Sequence, residues 1–387
     1  MTLTTSTADV VDSVAALSNA SAAYAVRHQR DKVVTATQGS YDGLFDPDLS
    51  GPTLAERLLA AHSIARLAGS AVLLAHYLER LAALPALTAA QQAAIDGEAP
   101  SSDPRLQAIL AFTRTLTERP VDGDQAALLQ LPAAGLATAE VIALAQLVAF
   151  VAYQLRVVAG LQALAALGDD GGSAPSVVAD APFVHPANLP KPGEVLRVNG
   201  YTSETLGWKA WLPVVDLEQA TPAQLAVLEA SHPKAKTSDY YRVLVHQPRI
   251  LEERSTVFNA IMYAPGGLSR AERELASAVV SRINGCVYCA SVHAQRFEQL
   301  AKRNDVIFQV FTEPQGAGTN ARERAIVQAS IDLTLRPAQF GAAQLQAVRA
   351  AGLSNLEILD LVHAIAIFAW ANRLMLNLGE AVFPAAA

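Results

Sequence analysis

Apolar positions along this chain recur at intervals of three and four for most of its length and almost nowhere alternate. That periodicity predicts amphipathic helices rather than strands. From Ala22 to Leu167 it reads as a series of helices punctuated by Asp46-Pro47, Gly51-Pro52, Leu84-Pro85, the stretch from Pro100 to Pro104, and Gly135. The polar, Ser/Thr/Ala-rich residues before them allow no more than a short helix. Gly168-Asp169-Asp170-Gly171-Gly172-Ser173 then opens a stretch holding Pro175, Pro182, Pro186, Pro190 and Pro192, which excludes regular helix and predicts a connector over 168–220. Phe183, Tyr201, Trp208 and Trp211 within it are costly to leave in water, so the connector is expected to lie against a folded surface. Helical periodicity resumes at Thr221-Pro222, a cap followed by a first-turn proline, and runs almost to the end. Ser269 and Glu272 form a capping box that opens a helix through Ile283, and Asn284-Gly285 closes it. A new helix is predicted from about Cys286.

The helical pattern repeats. Residues 105–156 run without a gap against 322–373, with 18 of 52 positions identical, among them Arg105/Arg322, Arg119-Pro120/Arg336-Pro337, Gly135-Leu136/Gly352-Leu353, Glu140/Glu357 and Arg156/Arg373. Upstream the offset is one residue smaller and pairs Glu56-Arg57 with Glu272-Arg273 and Gly69 with Gly285. The expected fold is therefore all-α: two tandem helical bundle domains, 22–167 and 221–384, related by internal duplication and joined by 168–220.

Composition agrees with that picture. Alanine and leucine dominate and hydrophobic residues make up 51% of the 387. A mean hydropathy of +0.23 raises the question of a membrane. The most apolar windows are interrupted, however: Val141–Tyr153 carries Gln146 and runs into Gln154 and Arg156, and Ile358–Met375 carries Asp360, His363 and Arg373. Both are expected to be buried core helices, with no membrane partner. A net charge of −7 and the lack of any Lys/Arg run argue against nucleic acid. Met1 to Val14 has neither the basic start nor the apolar core of a secretory leader, so the expected compartment is the cytoplasm.

The only two cysteines of the chain, Cys286 and Cys289, stand three apart, a coincidence expected roughly once in two hundred chains of this length. In a reducing compartment such a pair points to catalysis or metal rather than to a structural crosslink. On a helix, Cys286, Cys289 and His293 share one face. A helix start, its dipole and an imidazole one turn away all favour a thiolate. A thiolate beside a second thiol can attack an electrophilic oxygen or sulfur and then close as a disulfide. If the Asn284-Gly285 break folds the two helices together, Glu274 can orient His293 or relay a proton. At the repeat offset the first copy has Ser70, Leu73, Tyr77 and Leu58 in place of Cys286, Cys289, His293 and Glu274, so its role is expected to be scaffold. The bland alternatives are a pair of buried small hydrophobes and a structural zinc site. Zinc would need a fourth ligand from Glu274, His246 or His363. A thioredoxin fold is excluded by the absence of βαβ alternation. His363 and Trp370 are candidates to line the pocket, while His246, Trp208 and Trp211 are expected to serve packing.

The run Glu274-x11-Cys286-x-x-Cys289-x-x-x-His293 resembles the signature of the AhpD-like alkylhydroperoxidases, within the carboxymuconolactone decarboxylase superfamily. Leu268-Ser269-x-x-Glu272-Arg273-Glu274-Leu275 before it, and the tail from Ala351-Gly352-Leu353 to Asn372-Arg373, are similar to the same family. The resemblance covers about 240–380 and, without the motif, about 25–165. It implies a thiol-dependent peroxidase in which Cys289 is oxidised to a sulfenic acid by the hydroperoxide substrate, Cys286 resolves it, and Glu274 and His293 relay protons. It also implies no cofactor or metal, an external dithiol reductant such as a thioredoxin-like or lipoyl protein, and a homo-oligomer, a trimer or other multiple. The best-studied members carry histidine immediately before the second cysteine, where this chain has Tyr288, as a related peroxidase-like branch does. Decarboxylases of the superfamily lack the cysteine pair, so the resemblance does not extend to lactone decarboxylation. A non-catalytic dithiol redox sensor is the alternative: it would oxidise once and stop.

Overall fold

A computed structural model describes residues 9–97, 102–169 and 189–384; Pro100, Pro175, Pro182, Phe183 and Pro186 lie outside them. Among the described residues the protein is helical apart from two short antiparallel strand pairs. The first copy is built on α1 (Asp31–Leu44), α2 (Leu54–Leu67), α3 (Ala71–Ala82), α4 (Pro104–Glu118) and α5 (Thr138–Leu167). The second is built on α6 (Pro248–Met262), α7 (Arg270–Ile283), α8 (Val287–Ala301), α9 (Ala321–Leu335) and α10 (Asn355–Asn377). Shorter helices link them.

The duplication is visible in the bonds that start the helices. Thr53 and Glu56 cap α2 reciprocally, and Ser269 and Glu272 do the same for α7. In the first copy Arg105 bonds Glu56 and Glu140, each at 2.9 Å. In the second, Arg322 bonds Glu272 and Glu357. One cation thus ties three helix starts together in each copy, with the carboxylates at the positive ends where they are stabilised.

The two copies meet along α5 and α10. Both helices are long and apolar enough to cross a membrane by length and composition, yet their apolar windows are 100% and 94% buried inside the protein. Close approach depends on Gly160, since a Cβ there would stand 2.3 Å from Val362. Three of the polar groups that interrupt these helices, Gln146, Arg156 and Arg373, bond across the interface. Trp370 donates its indole N–H to Gln146 Oε1 at 2.8 Å. Arg156 donates to the Thr334 carbonyl at 2.6 Å, while Arg373 donates to the carbonyls of Leu116 and Thr117 at 2.8 and 3.4 Å. Arg156/Arg373 and Thr117/Thr334 are repeat partners, so the contact runs in both directions, as in an isologous dimer. Each guanidinium sits on the open carbonyls at the C-terminal end of α4 or α9, where a cation is favoured. One hydrophobic core continues through both copies.

The described part of the connector is more structured than its prolines predict. Arg197–Val198 pairs with Tyr201–Thr202, and Gly207–Ala210 pairs with the C-terminal Gly379–Val382. Trp208 donates to the Met375 carbonyl at 2.9 Å and Tyr201 to the Arg282 carbonyl at 3.1 Å. The aromatic residues therefore hold this segment against the second copy, as their hydrophobic area requires.

Candidate active site

Helix α7 ends at Asn284, and Gly285 turns the chain with φ +80°, a conformation glycine adopts without penalty. Cys286 caps α8, and its N–H bonds the Ser281 carbonyl at 2.8 Å, which closes the turn. The reversal lays α8 back along α7. Glu274 Oε2 accordingly meets His293 Nδ1, across 19 residues of sequence, and Glu274 Oε1 accepts from Arg270 one turn earlier. Glu274 is fully buried. Burial alone would raise its pKa, but the His293 imidazole and the Arg270 guanidinium more than offset this and hold it below the ordinary carboxylate value. The imidazole is braced edge-on by Phe368, ring centroids 4.4 Å apart. With Nδ1 engaged by the carboxylate, Nε2 is the nitrogen left for proton transfer.

The two thiols, both free, are placed differently. Cys289 lines a cavity of about 390 Å³ together with His293, Glu274 and Tyr288. Cys286 is not part of that wall; it lies behind, 1% exposed, within hydrogen-bonding reach of Cys289 and of the Asn372 side chain. Asn372 is itself fixed by Ser281 Oγ at 3.0 Å and Asn284 Nδ2 at 2.9 Å. Burial pushes the Cys286 thiol well above its ordinary range, and the adjacent Cys289 sulfur adds to the shift. The argument that a helix start lowers a thiol pKa therefore fails at Cys286. A dipole is worth about 1 kcal/mol at an exposed helix end, less than the cost of a charge in this dry setting. Burial likewise pushes the Tyr288 phenol up to about 12, so it stays neutral.

The expectation that His363 and Trp370 line the pocket is corrected. Trp370 packs between the copies against Phe150 and Tyr153, and His363 is buried on α10, its Nδ1 without a partner. His246 bonds the Pro213 carbonyl at 2.9 Å. Neither histidine joins the cysteines, and among the described residues no cluster of three His, Cys, Asp or Glu side chains is arranged to hold a metal ion. Sequence reasoning missed Arg270, although its position four residues before Glu274 is a readable helix pairing. It also missed Arg254, Tyr240 and Phe258 of the cavity wall, which come from other helices and leave no local signal.

A helical, internally duplicated protein with two thiols, an imidazole and a carboxylate gathered in one copy is the class that fold and site define. The family model of the carboxymuconolactone decarboxylase family matches residues 248–332, from α6 into α9. Among solved structures the chain is similar to a peroxidase-related protein from Ralstonia eutropha JMP134, described as an alkylhydroperoxidase AhpD core, at 24% identity over 42% of this chain and 86% of that one, with a TM-score of 0.38. A peroxidase-related protein from Silicibacter sp. TM1040 is similar at 23% identity over 41% and 86%, with a TM-score of 0.35. Comparison with curated proteins gives no match.

Proposed function

We propose that the second copy is a thiol peroxidase that reduces organic hydroperoxides. Cys289 gives its proton to His293 Nε2 and attacks the outer peroxide oxygen. The S–O bond forms, the O–O bond breaks, and the alkoxide leaves with the proton from His293, yielding ROH and a Cys289 sulfenic acid. The Cys286 thiol then attacks that sulfur: an S–S bond forms, the S–O bond breaks, and the hydroxyl departs with the Cys286 proton as water. An external dithiol of thioredoxin-like or lipoyl type reduces the disulfide and is itself oxidised to one. Glu274 holds the imidazole in the tautomer this needs.

The observation that carries the reading is the unequal placement of the sulfurs: Cys289 on the cavity wall beside the Glu274–His293 pair, Cys286 buried behind it. Peroxide consumption with dihydrolipoamide as reductant tests it. Cys289→Ser is expected to be inert, and Cys286→Ser to stop at a sulfenic acid that dimedone traps. Equal activity in the two variants overturns the assignment, and a wild-type protein that oxidises once without turnover is a sensor instead.

A further inference from the structure

We infer that the cavity beside Cys289 is built for a carboxylate on an apolar body, and that Arg254 is the residue that binds it. The inference names the substrate of the peroxidase proposed above and rests on that reading only for the word hydroperoxide; the anion site stands on its own geometry.

Arg254 lies on α6 and forms part of the same wall as Cys289. It is 4% exposed, and among the described residues it has no ion pair; its Nε has no hydrogen-bond partner at all. What surrounds it is aromatic: the guanidinium stands 5.5 Å from the Tyr240 ring centroid and 5.2 Å from that of Phe258, with the neutral Tyr241 side chain within hydrogen-bonding reach. Ring faces stabilise a cation, but they do not replace a counter-charge in a site withdrawn from water. The remaining charges of the wall make the deficit larger. Lys234, Arg270 and Arg296 add three cations against one carboxylate, Glu274, which is already bound by Arg270 and His293. This excess belongs to a chain of net charge −7, so it is local. The first copy has no counterpart: at the upstream repeat offset the partner of Arg254 is Gln38, which accepts from the Val10 N–H and donates to Asp42 Oδ1, each at 2.8 Å. At this point of the scaffold an arginine stands only in the copy that has the thiols.

A planar guanidinium fork is matched to a carboxylate, and the rest of the wall, with Phe258, Phe368, Val292 and Met375, is matched to hydrocarbon or an aryl ring. The ligand class is therefore an organic acid that carries its hydroperoxide away from the carboxylate, with the acid on Arg254 and the O–O bond at Cys289.

Two measurements test this. Calorimetric titration of the reduced wild-type protein compares phenylacetate with its neutral isostere phenylacetamide. Phenylacetate is expected to bind about tenfold tighter or better, the scale of one charge-assisted hydrogen bond. Arg254→Gln is expected to erase that ratio and Arg254→Lys to restore part of it. Equal binding of acid and amide to the wild-type protein overturns the inference without any variant. The second measurement compares kcat/KM for cumene hydroperoxide and its para-carboxylate. A preference for the acid, seen in KM and lost in Arg254→Gln, supports the site; equal turnover sinks it while leaving the peroxidase reading intact. Arg254-dependent binding of phenylacetate with no turnover of either peroxide keeps the anion site and removes the peroxidase.

Discussion

The two copies place different side chains at the same points of one scaffold. Where the second has Glu274, Cys289 and His293, the first has Leu58, Leu73 and Tyr77, all three buried, with the Tyr77 hydroxyl donating to Gln154 Oε1. Hydrocarbon and one phenol fill what the second copy keeps as a reactive, charged wall. The capping boxes and the Arg105 and Arg322 ion clusters are common to both. The residues that set the helix starts are thus separable from those that carry chemistry, and the first copy shows what the scaffold does when freed from chemistry.

The largest effect comes from making the second copy resemble the first. A Glu274→Leu, Cys289→Leu, His293→Tyr triple variant is expected to lose all peroxide turnover while its urea midpoint holds or rises. Replacing a buried ion pair by packed hydrocarbon is neutral or stabilising by roughly 1–4 kcal/mol. Retained turnover would put the chemistry elsewhere. Stability in acid separates the copies next. His363 occupies the place of Gln146, and burial holds its pKa down to about 3, against an ordinary 6.5. The unfolded chain then takes up a proton that the folded chain refuses, so stability present above pH 6.5 is lost as pH falls toward 3, at about 1.4 kcal/mol per unit. His363→Gln, copying the first domain, is expected to flatten that limb in urea melts at pH 7 and pH 4. His76 of the first copy, pushed down to about 4 by burial and Arg80, leaves a smaller residual slope. An unchanged slope in the variant would assign the acid limb to other groups. Smaller again is Glu274→Gln, which keeps the shape and removes the charge; kcat/KM for peroxide is expected to fall about 10²-fold, the worth of one oriented proton relay.

What was readable in the sequence was local. Thr53 with Glu56, Ser269 with Glu272, and the glycines at 69 and 285 announce helix ends because caps and positive φ are decided within four residues. The alignment of Cys289 with His293 follows from helix geometry alone. Contact between Glu274 and His293 was conditional on the Gly285 turn, whose φ decides it. Three things were out of reach. The strand Gly207–Ala210 pairs with residues more than 160 positions away and is too short for an alternating signal. Arg254 reaches the site from a separate helix. The upward shift of the Cys286 thiol depends on how deeply the turn is buried, which the local sequence does not record.

The turn itself supplies the finest comparison. Gly69 and Gly285 are repeat partners with φ of +71° and +80°, so an alanine at either incurs the left-handed cost of roughly 1–2 kcal/mol. Their surroundings differ. A Cβ on Gly69 would rest 3.5 Å from Ala338 Cβ, an ordinary contact, whereas one on Gly285 would stand 2.9 Å from Val121 Cγ2. Val121 and Ala338 are themselves repeat partners, so each copy presses on the other's turn, but only the first presses hard. Gly285→Ala is therefore expected to cost about 1–3 kcal/mol more than Gly69→Ala, the usual range for overpacking, in urea melts of the two variants. Adding Val121→Ala should bring Gly285→Ala back toward the Gly69 value. Equal costs without that rescue would mean that the first copy does not clamp the cysteine turn. A confirmed difference would give the motif-less copy a task in the chemistry: it sets the position of the residue directly before Cys286.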